Sequence, residues 1–378
     1  MQRRAVLTGC LCKVYGDEKE REIAQMTNRV KLIDLEYTQL EQFVTEELGE
    51  PKFRAKQIFS RIYGGTGKDG SLRLGAKSFE EMNNLPKTLR GKLEERAQLV
   101  QPAVLREQIS KLDGTRKFLF RLEDGNAIES VFMKYKFGNS ICVSSQAGCR
   151  MGCRFCASTI GGLKRNLTPG EIVGQILVAQ RQTGERISHV VVMGTGEPFD
   201  NYDNLAAFIR IINDPNGLTI GMRNITVSTC GLVPKIARFA EDFPQVNLAI
   251  SLHAANDEMR SEIMPVNRTY PMDVLLTACR EYAEKTSRRI TFEYTLVKGV
   301  NDSTEHAKML ASRLHGMLCH VNLIPLNKVE ETGYDTTERG AVLKFQKTLN
   351  ENGIPATIRR ELGDDIDAAC GQLRLSEQ

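Results

Sequence analysis

The stretch "GCRMGCRFC" places Cys149, Cys153 and Cys156 within eight residues, and Gly148 and Gly152 each stand directly before a cysteine. Thiolates are soft ligands that select zinc, copper(I) or iron–sulfur clusters. A structural zinc site takes four protein ligands, commonly as two close pairs, and no second pair or nearby histidine supplies the fourth here. Zinc with a remote fourth ligand stays open as an alternative. Three unligated thiols in an apolar core are another, although the glycines and arginines between them do not look like core. A cubane iron–sulfur cluster held by three thiolates fits better, because it leaves one iron open to a small chelating molecule.

Such a loop needs elements that position it. The chain has 378 residues, 41% hydrophobic and 26% charged, which suits a globular enzyme with one large core and a small attachment. It has no run of eighteen apolar residues, so a membrane span is not expected. "AVLTGCLC" is too short and polar-flanked for a signal peptide. The expectation is a cytoplasmic protein whose ten cysteines are reduced thiols, ligands or catalysts. A net charge of +4 permits a nucleic-acid partner without proving one.

Residues 1–26, which carry Cys10 and Cys12 and end at Met26, read as an appendage. Residues 27–102 read as a small helical domain. Leu35, Leu40, Phe43, Val44 and Leu48 recur at helical spacing up to Gly49-Glu50-Pro51, and a second helix runs through Ile58, Phe59 and Ile62. "GGTGKDGSLRLGA" then predicts a flexible loop, followed by a helix for which Ser78 and Glu81 have capping-box spacing. Residues 103–378 read as the catalytic core. It begins with "KFLFRLEDGNAIESVFMKY", two strands joined at Asp124-Gly125. Beyond the cysteines, "HVVVMG", "NITVSTC", "VNLAISLH", "RITFEYTLV", "HVNLIPLN" and "ATIRR" alternate with helical segments, which predicts an α/β parallel sheet closed into a partial or full barrel. Chemistry in such barrels sits at the carboxyl ends of the strands. That rule selects Gly194 to Pro198, Ser228 to Gly231, Ser251 to His253, Glu293 to Lys298, and Asn327. By itself His253 reads as a hydrogen-bonded structural histidine, and Glu129 as a solvated carboxylate at a strand end. Cys230, Cys279 and Cys319 read as packing residues in a strand, a helix and a strand.

Cys-x3-Cys-x2-Cys, with Phe155 before the last cysteine, resembles the signature of radical S-adenosylmethionine enzymes, and "MGTGEPFDN" resembles their glycine–glutamate–proline segment. "SVFMKYKFGNSICVSSQAGCRMGCRFCAST", "GGLKRNLTPGEIVGQ", "ITVSTCG", "ISLHAANDEMRSEIMPVNR", "HVNLIPLN" and "DIDAACGQL" narrow the resemblance. From about residue 28 to 374 the chain is similar to the bacterial radical S-adenosylmethionine RNA adenine methyltransferases of the RlmN and Cfr type, and more so to the former. The first 26 residues and the glycine-rich insertion at 64 to 76 depart from that pattern. The resemblance implies a partial (β/α) barrel of the radical S-adenosylmethionine type with a helical RNA-binding domain. It implies a [4Fe-4S] cluster on Cys149, Cys153 and Cys156, and two molecules of S-adenosylmethionine per turnover. Contacts to that cofactor fall to Gly196, Glu197, Ser228, Ser251, Leu252, His253 and Asn327.

The resemblance also implies a reaction at carbon 2 of adenine. One S-adenosylmethionine methylates Cys370, and a radical made from the second takes a hydrogen atom from that S-methyl group. The methylene radical adds to the ring, Glu129 removes the ring proton, and Cys142 attacks Cys370 to free the product and leave a disulfide. The implied substrates are an adenosine in the peptidyl-transferase centre of 23S ribosomal RNA and the adenosine 3′ of the anticodon in some transfer RNAs. The implied reductant is a flavodoxin or ferredoxin, and a monomer is expected. No RRM or zinc knuckle is evident, so recognition should rest on RNA shape and an extruded base. Lys134, Lys136, Lys164-Arg165, Arg288-Arg289 and Arg359-Arg360 are candidate phosphate contacts. Two alternatives remain: a Cfr-type enzyme acting on carbon 8, and a non-catalytic zinc-stabilised RNA-binding protein.

Overall fold

The computed structural model describes residues 29–67, 71–327, 333–360 and 362–366. The appendage, Cys10, Cys12 and Cys370 therefore lie outside the described residues. The helical unit is bracketed by a parallel pairing of Val30–Lys31 with Ala97–Gln98. Helix α1 (Tyr37–Gln42) runs on into a π turn at Phe43–Glu47, and α2 (Phe53–Tyr63) buries Ile58, Phe59 and Ile62 against it. The glycine-rich stretch is a small hairpin at its base rather than a plain loop, with Gly65–Thr66 paired antiparallel to Leu72–Arg73. The helix expected from Ser78 begins later, as α3 (Lys87–Arg96) after Pro86. Proline disfavours helical backbone at the residue before it, so no helix can run smoothly from Ser78 through Leu85. The Glu81 carboxylate instead accepts the Lys77 backbone N–H at 2.8 Å.

The core is a ten-stranded sheet: β1 (Ala103–Ile109), β2 (Arg116–Arg121), β3 (Ala127–Tyr135), β4 (Gly138–Cys142), β5 (Ile187–Val192), β6 (Ile225–Thr229), β7 (Asn247–Ser251), β8 (Ile290–Leu296), β9 (Cys319–Pro325) and β10 (Ala356–Ile358). The strands pair in chain order from β1 to β10. The first four form an antiparallel meander, and from β4 onward every pairing is parallel. Helices α4 (Pro169–Thr183), α5 (Tyr202–Asn213), α6 (Val233–Asp242), α7 (Asp257–Ile263), α8 (Met272–Thr286), α9 (Thr304–Leu314) and α10 (Arg339–Glu351) fill the crossovers. The outer face of the sheet buries Phe118, Phe132, Val190, Val227 and their neighbours in one apolar core with these helices.

β1 and β10 are the two edges of the sheet, so the barrel is partial. After β10 the chain turns back toward the opposite edge. Gly363 N–H donates to Asp113 Oδ2 and Lys111 N–H donates to Asp365 Oδ2, each at 3.0 Å. Asp113 and Lys111 belong to the turn between β1 and β2, so two reciprocal bonds clasp the C-terminal segment to the far side. Leu362 and Ile366 then pack on Val131, Met133 and Cys142.

Candidate active site

The cysteine loop is fixed at its base by an antiparallel pairing of Gln146–Gly148 with Leu163–Asn166. Gly148 has φ +75°, and a Cβ there would lie 1.9 Å from the Gly162 carbonyl oxygen, so only glycine fits. Arg154 N–H, inside the loop, donates to the Ile263 carbonyl at the end of α7 at 2.9 Å. Burial pushes the Cys149 thiol up to about 12 and raises Cys153 as well. Thiolates here therefore need a cation to hold them. Among the described residues no group of three or more His, Cys, Asp or Glu side chains is arranged around a single metal ion. A cubane differs in spreading its thiolates over separate iron corners, and Cys149, Cys153 and Cys156, which together line one cavity, fit that group.

The opposite wall of the same cavity is built from strand ends, with Gly196, Glu197, Ser228, Ser251, His253 and Asn327 all lining it. Gly196 has φ +108°, and a Cβ would sit 2.6 Å from that of Gln146. Gln146 ties the two walls together. Its Oε1 accepts the Glu197 N–H at 2.8 Å, and its Nε2 donates to Asn166 and Asp200 at 2.8 and 2.9 Å. Glu197 is buried, and its two carboxylate oxygens accept the Phe199 and Cys230 N–H groups at 2.9 and 2.7 Å. Burial still raises its pKa above the usual range, so an incoming ammonium would relieve a costly buried charge. The Ser228 and Ser251 hydroxyls lie 3.3 Å apart.

His253 adopts φ +55°, and its Nδ1 accepts the Thr295 N–H at 2.9 Å. The neutral ring then carries its proton on Nε2. Burial first, and then the Arg260 charge, lower its pKa to about 3. Phe155 meets the ring edge-on at 4.9 Å. His253 is therefore both hydrogen-bonded within the protein and part of the cavity wall.

Several residues of this site were not legible in the sequence. Arg260 is completely buried and donates to the carbonyls of Cys230 at 2.6 Å, Ser251 at 3.2 Å and Leu252 at 3.2 Å, which binds the ends of β6 and β7 together. Cys230 was expected to pack within a strand, but it lies one residue past β6 and lines the cavity. The Leu252 side chain is in the main apolar core and does not line the cavity. Arg359 is half-buried and lines the cavity, and its charge acts on buried Glu293. Lys134, Arg165 and Arg288 are engaged within the protein, by Glu185, by Asp124 and Glu171, and by Asn247. Lys136, Lys164, Arg289 and Arg360 are exposed.

Beside the cavity, the concave face of the meander carries Glu129 and Cys142. Glu129 lies inside β3, and is neither terminal nor solvated: it is 2% exposed and ion-paired with Lys117 Nζ at 3.0 Å. Cys142 is buried opposite Val131, in a cluster with Met193, which itself lines the cavity. Ser144 connects the two regions. Its hydroxyl donates to the Glu129 carbonyl at 2.6 Å and accepts the Thr195 N–H at 2.9 Å. The buried Gln175 amide, on α4, bonds to the backbone N–H and C=O of Ser144, each at 2.9 Å, and accepts from Ser130 Oγ at 2.5 Å.

Comparison with known proteins places this arrangement. Residues 143–310 match the radical SAM superfamily, and residues 30–99 match the ribosomal RNA large subunit methyltransferase N-terminal domain. A probable dual-specificity RNA methyltransferase RlmN of Clostridium tetani is 52% identical over 349 residues, covering 92% of this chain and 97% of that protein. The similarly named protein of Clostridium novyi is 54% identical over 325 residues, covering 86% and 92%. The crystal structure of a radical SAM methyltransferase from Sphaerobacter thermophilus superposes with a TM-score of 0.85 at 46% identity, over 91% of this chain and 99% of that one. The chain thus belongs to the RlmN family of radical S-adenosylmethionine RNA methyltransferases.

Proposed function

We propose that this enzyme methylates carbon 2 of an adenosine in the peptidyl-transferase centre of 23S ribosomal RNA and of the adenosine 3′ of the anticodon in some transfer RNAs. The observation that carries the reading is one cavity lined by three cysteines and by strand-end residues, adjoining a face that presents a buried carboxylate and a buried thiol. Its cofactors are a [4Fe-4S] cluster and S-adenosylmethionine. When bound, the cluster supplies the electron that converts S-adenosylmethionine to a 5′-deoxyadenosyl radical.

The chain's own residues do the rest. Cys149, Cys153 and Cys156 hold the cluster. Gly196 and Glu197 receive the methionine ammonium, and Ser228, Ser251, His253 and Asn327 fix the remainder of the cofactor. Cys370 carries the methyl group to the ring, Glu129 takes the ring proton, and Cys142 resolves the thioether. Cys370 stands four residues beyond Ile366, a reach of at most about 14 Å, and Ile366 packs in the cluster that contains Cys142. The helical unit, residues 27–102, contributes RNA contacts. The enzyme works in the cytoplasm as a monomer and receives its electrons from a flavodoxin or ferredoxin.

The test is anaerobic reaction of reconstituted protein with S-adenosylmethionine, reductant and a 23S ribosomal RNA fragment, followed by nucleoside mass spectrometry. Formation of 2-methyladenosine with 5′-deoxyadenosine supports the proposal. Formation of 8-methyladenosine assigns carbon 8 instead. Cofactor cleavage without either product rejects the RNA substrate, and zinc in place of iron and sulfide rejects the radical chemistry.

A further inference from the structure

Glu129 does not sit alone on the concave face. Lys117, on β2, is 7% exposed, and its Nζ lies 3.0 Å from Glu129 Oε1. The ladder pairs Leu119 with Glu129 and Lys117 with Val131. The ammonium therefore reaches diagonally across one face of two neighbouring strands. That face also bears Cys142, the partner of Val131 in the next strand. The opposite face holds the apolar layer of Phe118, Phe120, Ile128 and Phe132, so the ion pair lies on the side of the site and away from the helices. Two charges taken out of water are a poor way to add stability, since an apolar pair of similar volume often serves as well or better.

We propose that Lys117 is a positioning residue for Glu129, a role that rests on the reading of Glu129 as the base. Its ammonium pairs with the carboxylate and holds it directed along the concave face before the ring carbon is attacked. In the step that follows, the ring C–H bond breaks and its electron pair stays in the ring, while the unpaired electron left by the radical addition would pass back to the bound cluster, whose electron began the reaction. The proton goes to the Glu129 carboxylate. Burial disfavours the charged form of a carboxyl group and a neighbouring opposite charge favours it, and a protonated carboxyl cannot accept the proton.

The experiment compares Lys117→Met, Lys117→Arg and Glu129→Gln in reconstituted full-length enzyme. It measures kcat and KM for RNA, together with the ratio of 5′-deoxyadenosine to methylated nucleoside. Lys117→Met should lower kcat about a hundredfold, the low end of what a positioned general base contributes, with KM unchanged and cofactor cleavage continuing, so the ratio climbs. Lys117→Arg should restore most of the rate, a rescue that a purely structural defect repaired by packing would not track. The Lys117→Met/Glu129→Gln double variant should be no slower than Glu129→Gln alone. A normal rate and ratio in Lys117→Met, with Glu129→Gln inactive, overturns the role of Lys117 and leaves the base in place. Full activity in Glu129→Gln overturns the base itself. Should Lys117→Met fail to fold, Lys117→Gln and the arginine variant carry the comparison, and equal loss of methylation in both, with normal cofactor cleavage in neither, also counts against the proposal.

Discussion

At the scale of single residues, the site separates groups that must be charged from groups that must stay neutral. His253 illustrates the second kind. Its folded pKa of about 3 lies below the ordinary value of about 6.5, so the neutral ring contributes stability that is present above pH 6.5 and lost as the pH falls toward 3. Between pH 7 and 5 that loss amounts to about 2 kcal/mol. His253→Asn, whose side chain tolerates left-handed backbone, should lack this component, and urea melts of both proteins at the two pH values will compare the slopes. Cys142 illustrates chemistry rather than stability. Cys142→Ala should still attack RNA but accumulate a covalent protein–RNA adduct, visible as a shifted band on denaturing gels, and free methylated product at normal yield would remove it from the mechanism. Which single residues matter was only partly legible. Cysteine spacing and strand-end position found the cavity walls. The burial of Glu129 beside Lys117 could not be read, because the two are brought together by strand register and not by proximity in sequence.

At the scale of elements, legibility followed burial. Largely buried strands rich in β-branched and apolar residues stood out, and β6 to β9 emerged from the sequence within a residue or two of their limits. Edge strand β1, "AVLREQI", is mostly exposed and has no such run to betray it. Capping boxes were the reverse case. The spacing at Ser78 misled because Pro86 sets the helix start, while the box at Thr168 and Glu171, which opens α4, passed unread inside a glycine- and proline-containing stretch. α4 matters beyond its own stability, because Gln175 joins β3 to the segment leaving β4. Gln175→Leu keeps the volume and removes these bonds. It should cost about 3 kcal/mol by leaving buried partners unsatisfied, measurable by chemical denaturation, and should weaken S-adenosylmethionine binding through the Ser144 link to Thr195.

At the scale of the molecule, the partial barrel depends on a segment from the far end of the chain to cross its gap. The Asp113 and Asp365 carboxylates each accept one backbone N–H there. Asp113→Ala/Asp365→Ala should change global stability little, yet slow formation of the disulfide proposed between Cys142 and Cys370 several-fold in timed alkylation, with cofactor cleavage intact. An unchanged rate of disulfide formation would show that the clasp does not set the path of the C-terminal segment. Because the strands pair in the order in which they are translated, each one emerging from the ribosome meets an edge that is already formed. A nascent chain can thus grow its sheet progressively while one edge stays unfinished. The crossing residues are made after all ten strands. Under the roles proposed for these residues, a chain that stops before Cys370 could assemble most of the cavity and still lack the thiol proposed to carry the methyl group.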